Sequence, residues 1–153
     1  MTTANHAERF QALAEFRYAL RNFLHFSEEA ATRVGLQPQQ HQLLLQIAGA
    51  PEGTVTSIGY LAERLALRHN SLVELAGRCE EAGLVARRHD EQDRRVVVLK
   101  LTPAGSRVLH KLSEDHVREL HELAPSLIEA LTALTATRHS SAPGIARRDK
   151  KDT

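Results

Sequence analysis

The sequence predicts a mostly α-helical protein with one small β-hairpin, and three observations support this fold class. Leu and Ala are abundant while aromatic residues make up 4% of the chain, which favours helices packed by aliphatic side chains. Apolar residues recur at helical spacing through most of the sequence. Only residues 84–101 place aliphatic and β-branched runs on both sides of a polar centre, as a hairpin does. The chain has 153 residues, of which 42% are hydrophobic, and both values suit one globular domain.

The N-terminal segment predicts a long helix over about residues 6–33, because Phe10, Leu13, Arg17, Leu20 and Leu24 follow helical spacing. A helical pair follows in the middle of the chain, with helices at 57–65 and 70–82 separated by a turn at 66–68. Thr56 or Ser57 is a plausible N-cap of the first of these two helices. The inward stripes of the pair are Ile58, Leu61, Ala62 and Leu65, then Leu72, Leu75, Ala76 and Cys79.

The start and the outward side of the second helix carry polar side chains that suit contact with DNA. When such a helix lies in the major groove, its N-terminal residues reach base edges, and Asn bonds adenine through two hydrogen bonds. An ordinary packed helical pair is the alternative interpretation. The candidate residues are Arg68, His69, Asn70, Ser71, Glu74 and Arg78.

Two short strands are predicted next, at Leu84-Val85 and at Val96 to Leu101, joined by a polar tip over residues 89–94. Such a tip projects into solvent, where Arg94 and Arg95 can reach phosphates or a narrow minor groove. A merely solvated hairpin is the alternative. The order helix, turn, helix, strand, charged loop, strand favours nucleic-acid binding.

Leu-rich stripes are also predicted at the C-terminal end, in a fifth helix and in a final helix that begins near Pro125. A DNA-binding core of about 60 residues cannot bury the stripes of both chain ends, so we expect a two-fold dimer that spaces two recognition helices one DNA turn apart, on a pseudo-palindromic operator. Intramolecular packing alone is the alternative. The stripe residues are Val108, Leu109, Leu112, Leu120, Leu123, Leu127, Leu131 and Leu134.

Four segments resemble the MarR family of winged helix-turn-helix transcriptional regulators: residues 36–47, 61–67, 80–85, and Asp93-Arg94-Arg95 followed by L-T-P-A-G at 101–105. The resemblance implies a winged helix-turn-helix DNA-binding core at about 36–102, flanked by N- and C-terminal dimerisation helices at about 6–33 and 103–137, in a single domain over 1–137. It also implies that Asp93 braces Arg95, which enters the minor groove. From the residues alone, Arg94 is an equal candidate.

The chain departs from the family pattern at two positions. Arg68 stands where Ser or Thr often caps the recognition helix, which would leave capping to Asn70 or water, and Gly77 stands where Asp is usual. Gly83 fits a helix C-terminus that needs a positive φ.

The resemblance further implies a repressor released by a small effector, for example an aromatic or phenolic one, bound between the dimerisation helices and the DNA-binding part. Arg17 or His41 can pair with a carboxylate or phenolate, although His41 can equally be a structural residue. The expected effector contacts are Phe16, Arg17, Leu20, His41, Leu44 and Leu45.

Charge is concentrated where DNA contact is expected. Residues 64–100 hold eight Arg or Lys against six Asp or Glu, although the whole chain carries only +1. Residues 138–153 are polar and basic and predict a flexible tail. No apolar run is long enough to span a membrane and no secretion signal is present, so we expect a cytoplasmic protein.

Other functions have weaker sequence support. No Gly-rich phosphate loop, G-x-S-x-G or H-E-x-x-H motif indicates an enzyme or a cofactor. His110, Glu114 and His116 or His121, with His41, could form a metal site, but no clustered Cys/His motif supports one, and we expect no metal. A winged-helix protein-interaction module and a metal-responsive regulator are the alternatives. The single Cys79 is expected to be a core residue.

Overall fold

A computed structural model describes residues 3–136, with side chains from residue 6 onward, so the predicted basic tail lies outside the described residues. The fold class is confirmed: the described chain is mostly helical with one two-stranded antiparallel sheet. No helix in this part of the chain is both long and apolar enough to cross a membrane. The elements are α1 (Thr3–Arg33), α2 (Pro38–Ala48), α3 (Ile58–Arg64), α4 (His69–Glu81), β1 (Val85–His89), β2 (Val97–Leu101) and α5 (Pro103–Ala136).

The chain divides into two compact units. The first comprises α1 up to Phe23 and α5 from His121 onward. The second, from Leu24 to Leu120, contains the remaining parts of these helices and all of α2, α3, α4, β1 and β2. The helix-turn-helix and the hairpin therefore belong to one unit.

The core of the second unit consists of aliphatic side chains from every one of its elements. This composition agrees with the low aromatic content of the chain, because Leu and Ala side chains can pack closely without aromatic rings. The fully buried large side chains of the unit are Leu43, Leu44, Leu61, Leu72, Leu75, Cys79, Leu99 and Leu112.

The two strands pair in the register Val85 with Leu101 and His89 with Val97. Strand β1 extends to His89, further than the predicted Leu84-Val85, because the ladder of β2 provides partners for polar residues as well. At the base of the sheet the Thr56 hydroxyl donates to the Leu99 carbonyl oxygen at 2.7 Å, and the Leu99 N–H donates back to Thr56 at 3.0 Å. The segment before α3 is thus fixed to the sheet.

The junction of β2 and α5 explains the L-T-P-A-G motif. Thr102 caps α5, accepting from the Gly105 N–H at 3.0 Å, while its hydroxyl donates to the Gly83 carbonyl oxygen at 2.6 Å. Gly105 is buried, and a Cβ there would collide with the backbone carbonyl of Leu84. The glycine therefore allows the start of α5 to lie directly against the chain that leaves α4.

The prediction of a separate final helix beginning near Pro125 is wrong. Helix α5 is continuous over 34 residues and contains Pro125 in its interior. Proline removes one hydrogen bond from such a helix, here the bond to the carbonyl of His121. Both residues are exposed, so water can satisfy that carbonyl and the helix continues.

Candidate nucleic-acid interface

Helix α3 and the turn after it hold α4 in place. The Ser57 hydroxyl accepts from the Tyr60 N–H at 3.1 Å, so Ser57, rather than Thr56, is the N-cap. The turn passes through Ala66, whose φ of 52° is left-handed, and is closed by a hydrogen bond from the Leu67 N–H to the Ala62 carbonyl oxygen at 2.9 Å. An alanine in this conformation costs about 1 kcal/mol, which the burial of the surrounding side chains offsets.

Helix α4 buries the stripe predicted for it, which leaves the start of the helix exposed. His69, Asn70, Ser71 and Glu74 are all exposed. Arg68 is the N-cap, and no side chain makes a capping bond, so the first N–H groups of α4 are open to water or to an anion.

Arg78, which is predicted on the outward side of α4, is less exposed than the residues at the start of the helix. It is half-buried, and its Nε is buried without a hydrogen-bond partner in the described residues. One inward neighbour, Cys79, is fully buried, and burial raises the pKa of its thiol to about 11. A neutral thiol at this position is a small core group.

The wing tip is ordered by its own carboxylates. Asp93 accepts from the Arg95 side chain at Nε (3.0 Å) and Nη2 (3.1 Å), and also from the Arg95 backbone N–H. Asp90 accepts from the Asp93 N–H at 3.1 Å. The Arg95 hydrogen bonds lower the pKa of the Asp93 carboxyl, and the carboxylate raises the pKa of Arg95. The brace between Asp93 and Arg95 therefore exists, and the Arg95 side chain is nevertheless 91% exposed.

Arg94 is the second exposed cation of the tip, and within the described residues no hydrogen bond or ion pair involves it. The two arginines thus differ, because Asp93 orients Arg95 whereas no side-chain hydrogen bond or ion pair in the described residues orients Arg94. Between the tip and the helices lies an open cleft of about 400 Å³. Its lining residues are Ser57, Ile58, Gly59, His69, Val73, Arg87, Arg95, Val96 and Val97.

A second polar cluster lies away from this surface, where His41 of α2 packs against His116 of α5 with ring centroids 4.8 Å apart. His116 Nδ1 lies 2.6 Å from the Leu112 carbonyl oxygen, which only accepts, so Nδ1 donates to it, and Nε2 hydrogen-bonds with the Ser27 hydroxyl at 2.8 Å. His41 is 2% exposed and its Nδ1 has no hydrogen-bond partner in the described residues. Burial, then the neighbouring His116, lower the pKa of His41 to about 4.

The predicted effector residues are divided between the two units. His41 and Leu44 are buried in the second unit, whereas Leu45, beside them on α2, is 40% exposed. Phe16, Arg17 and Leu20 belong to α1 in the first unit, where Arg17 is exposed and the other two are half-buried. The sequence did not identify Ser27 and Phe26 as neighbours of the histidines, because contacts across 89 residues of chain leave no local pattern.

The alternative of a metal site depends on His41 and on the histidines of α5. His41 and His116 do meet, but no group of three or more His, Cys, Asp or Glu side chains is placed to hold a metal ion in this part of the chain. Two imidazoles alone fall short of the four ligands typical of a structural zinc site.

Comparisons with known proteins return relatives that share one family and one fold. A model described as MarR family matches residues 34–96. The transcriptional activatory protein BadR of Rhodopseudomonas palustris is 32% identical over 123 residues, 77% of this chain and 70% of that protein. A MarR family protein from Bacillus stearothermophilus matches with a TM-score of 0.66 and 26% identity, over 92% of this chain and 96% of that one. The S. aureus MepR–DNA complex has a TM-score of 0.63 and 19% identity, over 83% of this chain and 95% of that one.

Proposed function

Because the chain belongs to the MarR family of transcriptional regulators, we propose that it is a homodimer that binds double-stranded DNA sequence-specifically. The family consists of regulators, in agreement with the prediction of a non-enzymatic protein. The observation that carries the DNA proposal is the combination, within one unit, of an exposed polar start of α4 with the exposed cationic wing tip. The relative MepR has been solved in complex with DNA.

Helix α4 is proposed to read the major groove. Asn70 and Ser71 are exposed at its first turn, where side chains reach base edges. Glu74, one turn further on, can accept from a cytosine amino group. Arg68, His69 and Arg78 are proposed to contact phosphates, which fix the register of the helix without reading sequence.

The wing tip is proposed to contact the minor groove and the flanking backbone. Asp93 already orients the Arg95 guanidinium, so Arg95 loses less side-chain entropy on binding and is our candidate for the minor groove. Arg94, without such a brace, is proposed to contact phosphate.

Dimerisation is proposed to use the first unit, which exposes large apolar side chains. Phe10 is 68% exposed, Leu13 43%, Ile128 63% and Leu131 46%. Such a concentration of exposed apolar side chains is characteristic of a surface that binds a partner, and a second copy of this chain would bury it symmetrically. Two recognition helices would then face half-sites one helical turn apart.

We also propose that a small aromatic or phenolic effector changes DNA affinity. The support is the buried His41, whose Nδ1 has no hydrogen-bond partner in the described residues and whose ring packs against His116, which in turn packs against Phe26. Repression is the proposed outcome where the operator overlaps a promoter. Since a relative is named as an activator, we expect the position of the operator relative to the promoter to decide between repression and activation.

Selection from a pool of random duplex DNA tests the proposal. The wild type is compared with Arg94→Ala/Arg95→Ala and with Arg107→Ala/Lys111→Ala, a matched loss of two exposed charges on α5. We expect the wild type and the α5 variant to enrich the same pseudo-palindrome. The wing variant should bind it more weakly, with the salt dependence of log Kd reduced by about 2. Absence of enrichment at low salt would refute sequence-specific binding and favour a protein-interaction module.

A further inference from the structure

Arg87 of β1 lies across helix α4. Its Nη2 donates to the Val73 carbonyl oxygen at 3.4 Å, and its Nε lies 3.4 Å from Glu80 Oε1. The Nε makes no hydrogen bond of good geometry, so the contact with Glu80 is an ion pair rather than a directed bond. The guanidinium is thereby held over the middle of the recognition helix, between one residue near its start and one near its end.

This contact joins β1 of the wing directly to α4. The backbone of β1 pairs only with β2, so its position relative to α4 depends on side chains. Val85 at the base of β1 is buried, Ala86 and Arg87 are half-buried, and the next two residues are exposed. Among the described residues of β1, Arg87 is thus the last one that is partly buried.

Gly77 lies on the part of α4 that the Arg87 guanidinium covers. A Cβ at this position would lie 3.9 Å from Arg87 Nη2, an ordinary contact, so a small side chain fits while a longer one would meet the guanidinium. Glycine disfavours the interior of a helix. The Arg87 guanidinium thus lies beside Gly77 and contacts a backbone carbonyl, that of Val73, and one carboxylate, that of Glu80.

We propose that Arg87 is a positioning residue that uses Glu80 and the surface at Gly77 to fix the wing relative to α4, and so sets where Arg94 and Arg95 meet DNA. This inference rests on the proposed DNA-binding function. The competing explanation is that Arg87 contacts a phosphate itself.

The two explanations predict opposite signs for removal of the Glu80 charge. If Arg87 contacts phosphate, Glu80→Gln frees the guanidinium and removes a repulsive charge, so DNA binding becomes tighter. If Arg87 positions the wing, the same substitution loosens the tip and DNA binding becomes weaker. Glu81→Gln is the matched control, because Glu81 is the exposed neighbour and carries the same charge.

The experiment measures Kd by fluorescence anisotropy on the selected operator at one salt concentration. We expect Glu80→Gln to bind about 3-fold more weakly than Glu81→Gln, the size of effect that a partly exposed ion pair supports. Gly77→Asp should restore affinity in the Glu80→Gln background, because it returns a carboxylate to Arg87, whereas Gly77→Ala should not. In the Arg94→Ala/Arg95→Ala background, Glu80→Gln should have no effect.

Equal affinity of Glu80→Gln and Glu81→Gln would overturn the proposal, as would a persisting effect of Glu80→Gln without the tip arginines. A second measurement needs no DNA: amide hydrogen exchange at Asp90, whose N–H donates to the Val96 carbonyl oxygen at 2.9 Å at the outer end of the hairpin, should be faster in Glu80→Gln than in Glu81→Gln. A protein that binds no DNA but shows this difference would refute the proposed function and leave the attachment of the wing intact. An unchanged exchange rate would refute the attachment itself.

Discussion

The buried histidine pair predicts a specific loss of stability in mild acid. His41 is 2% exposed, and burial together with the adjacent His116 lowers its pKa from 6.5 to about 4. Unfolding returns the imidazole to its ordinary pKa. Between these two values the unfolded state binds more protons than the folded state, so the free energy of unfolding falls as the pH drops through this window.

The difference between the two pKa values corresponds to about 3 kcal/mol once the pH is below both. About 2 kcal/mol of this is lost between pH 7 and pH 5. Urea denaturation at pH 7, 6 and 5, at one protein concentration, measures the loss. The variant His41→Leu removes the titrating group while keeping an apolar volume against the core, so its free energy of unfolding should fall less over the same range, by that amount.

His110→Leu is the matched control, because it removes an imidazole from the exposed side of α5. Its pH dependence should follow the wild type. If His41→Leu and the wild type lose equal stability between pH 7 and pH 5, then His41 is not held neutral by burial, and the reasoning from its environment fails.

Three further predictions concern the turn, the wing junction and the dimer. Ala66→Gly should raise the free energy of unfolding by up to about 1 kcal/mol, because glycine adopts the left-handed φ without the alanine penalty; a loss in urea denaturation would contradict this. Gly105→Ala should lower it by about 1–3 kcal/mol, because the methyl group collides with the Leu84 backbone, whereas Gly59→Ala, with open space at its Cβ, should not show a loss of that size. Phe10→Glu/Ile128→Glu should shift the protein to monomer in sedimentation velocity, and an unchanged mass would exclude this surface as the dimer contact.

Local sequence patterns are sufficient to predict the elements that carry the proposed DNA-binding surface. The N-cap at Ser57, the positive φ of Gly83 and the inward stripe of α4 each depend on residues within one or two turns. The brace between Asp93 and Arg95 spans two residues, and the resemblance to the MarR family indicated it correctly. Such short-range features leave a readable pattern, because the interacting groups share one segment.

Helix α5 shows where a local rule gave the wrong result. Pro125 predicts the start of a new helix, since the φ of proline suits a first turn. The cost of proline inside a helix depends on whether the freed carbonyl reaches water, and that is a property of the folded surface rather than of the sequence. The exposure of His121 and Pro125 decides the outcome.

The long-range contacts could not be predicted from local sequence patterns, for a different reason. Gly77 was recognisable as a departure from the family pattern, but its consequence needs the hairpin register, which brings Arg87 over α4. From the sequence alone, a glycine in a helix interior is simply a residue that lowers the stability of the helix. Arg87 lies 3.9 Å from where a Cβ of residue 77 would stand, and Glu80 supplies the carboxylate, so under the proposal above Gly77 is part of the surface through which the wing contacts α4. The proposal thus links this departure from the family pattern to the position of the wing.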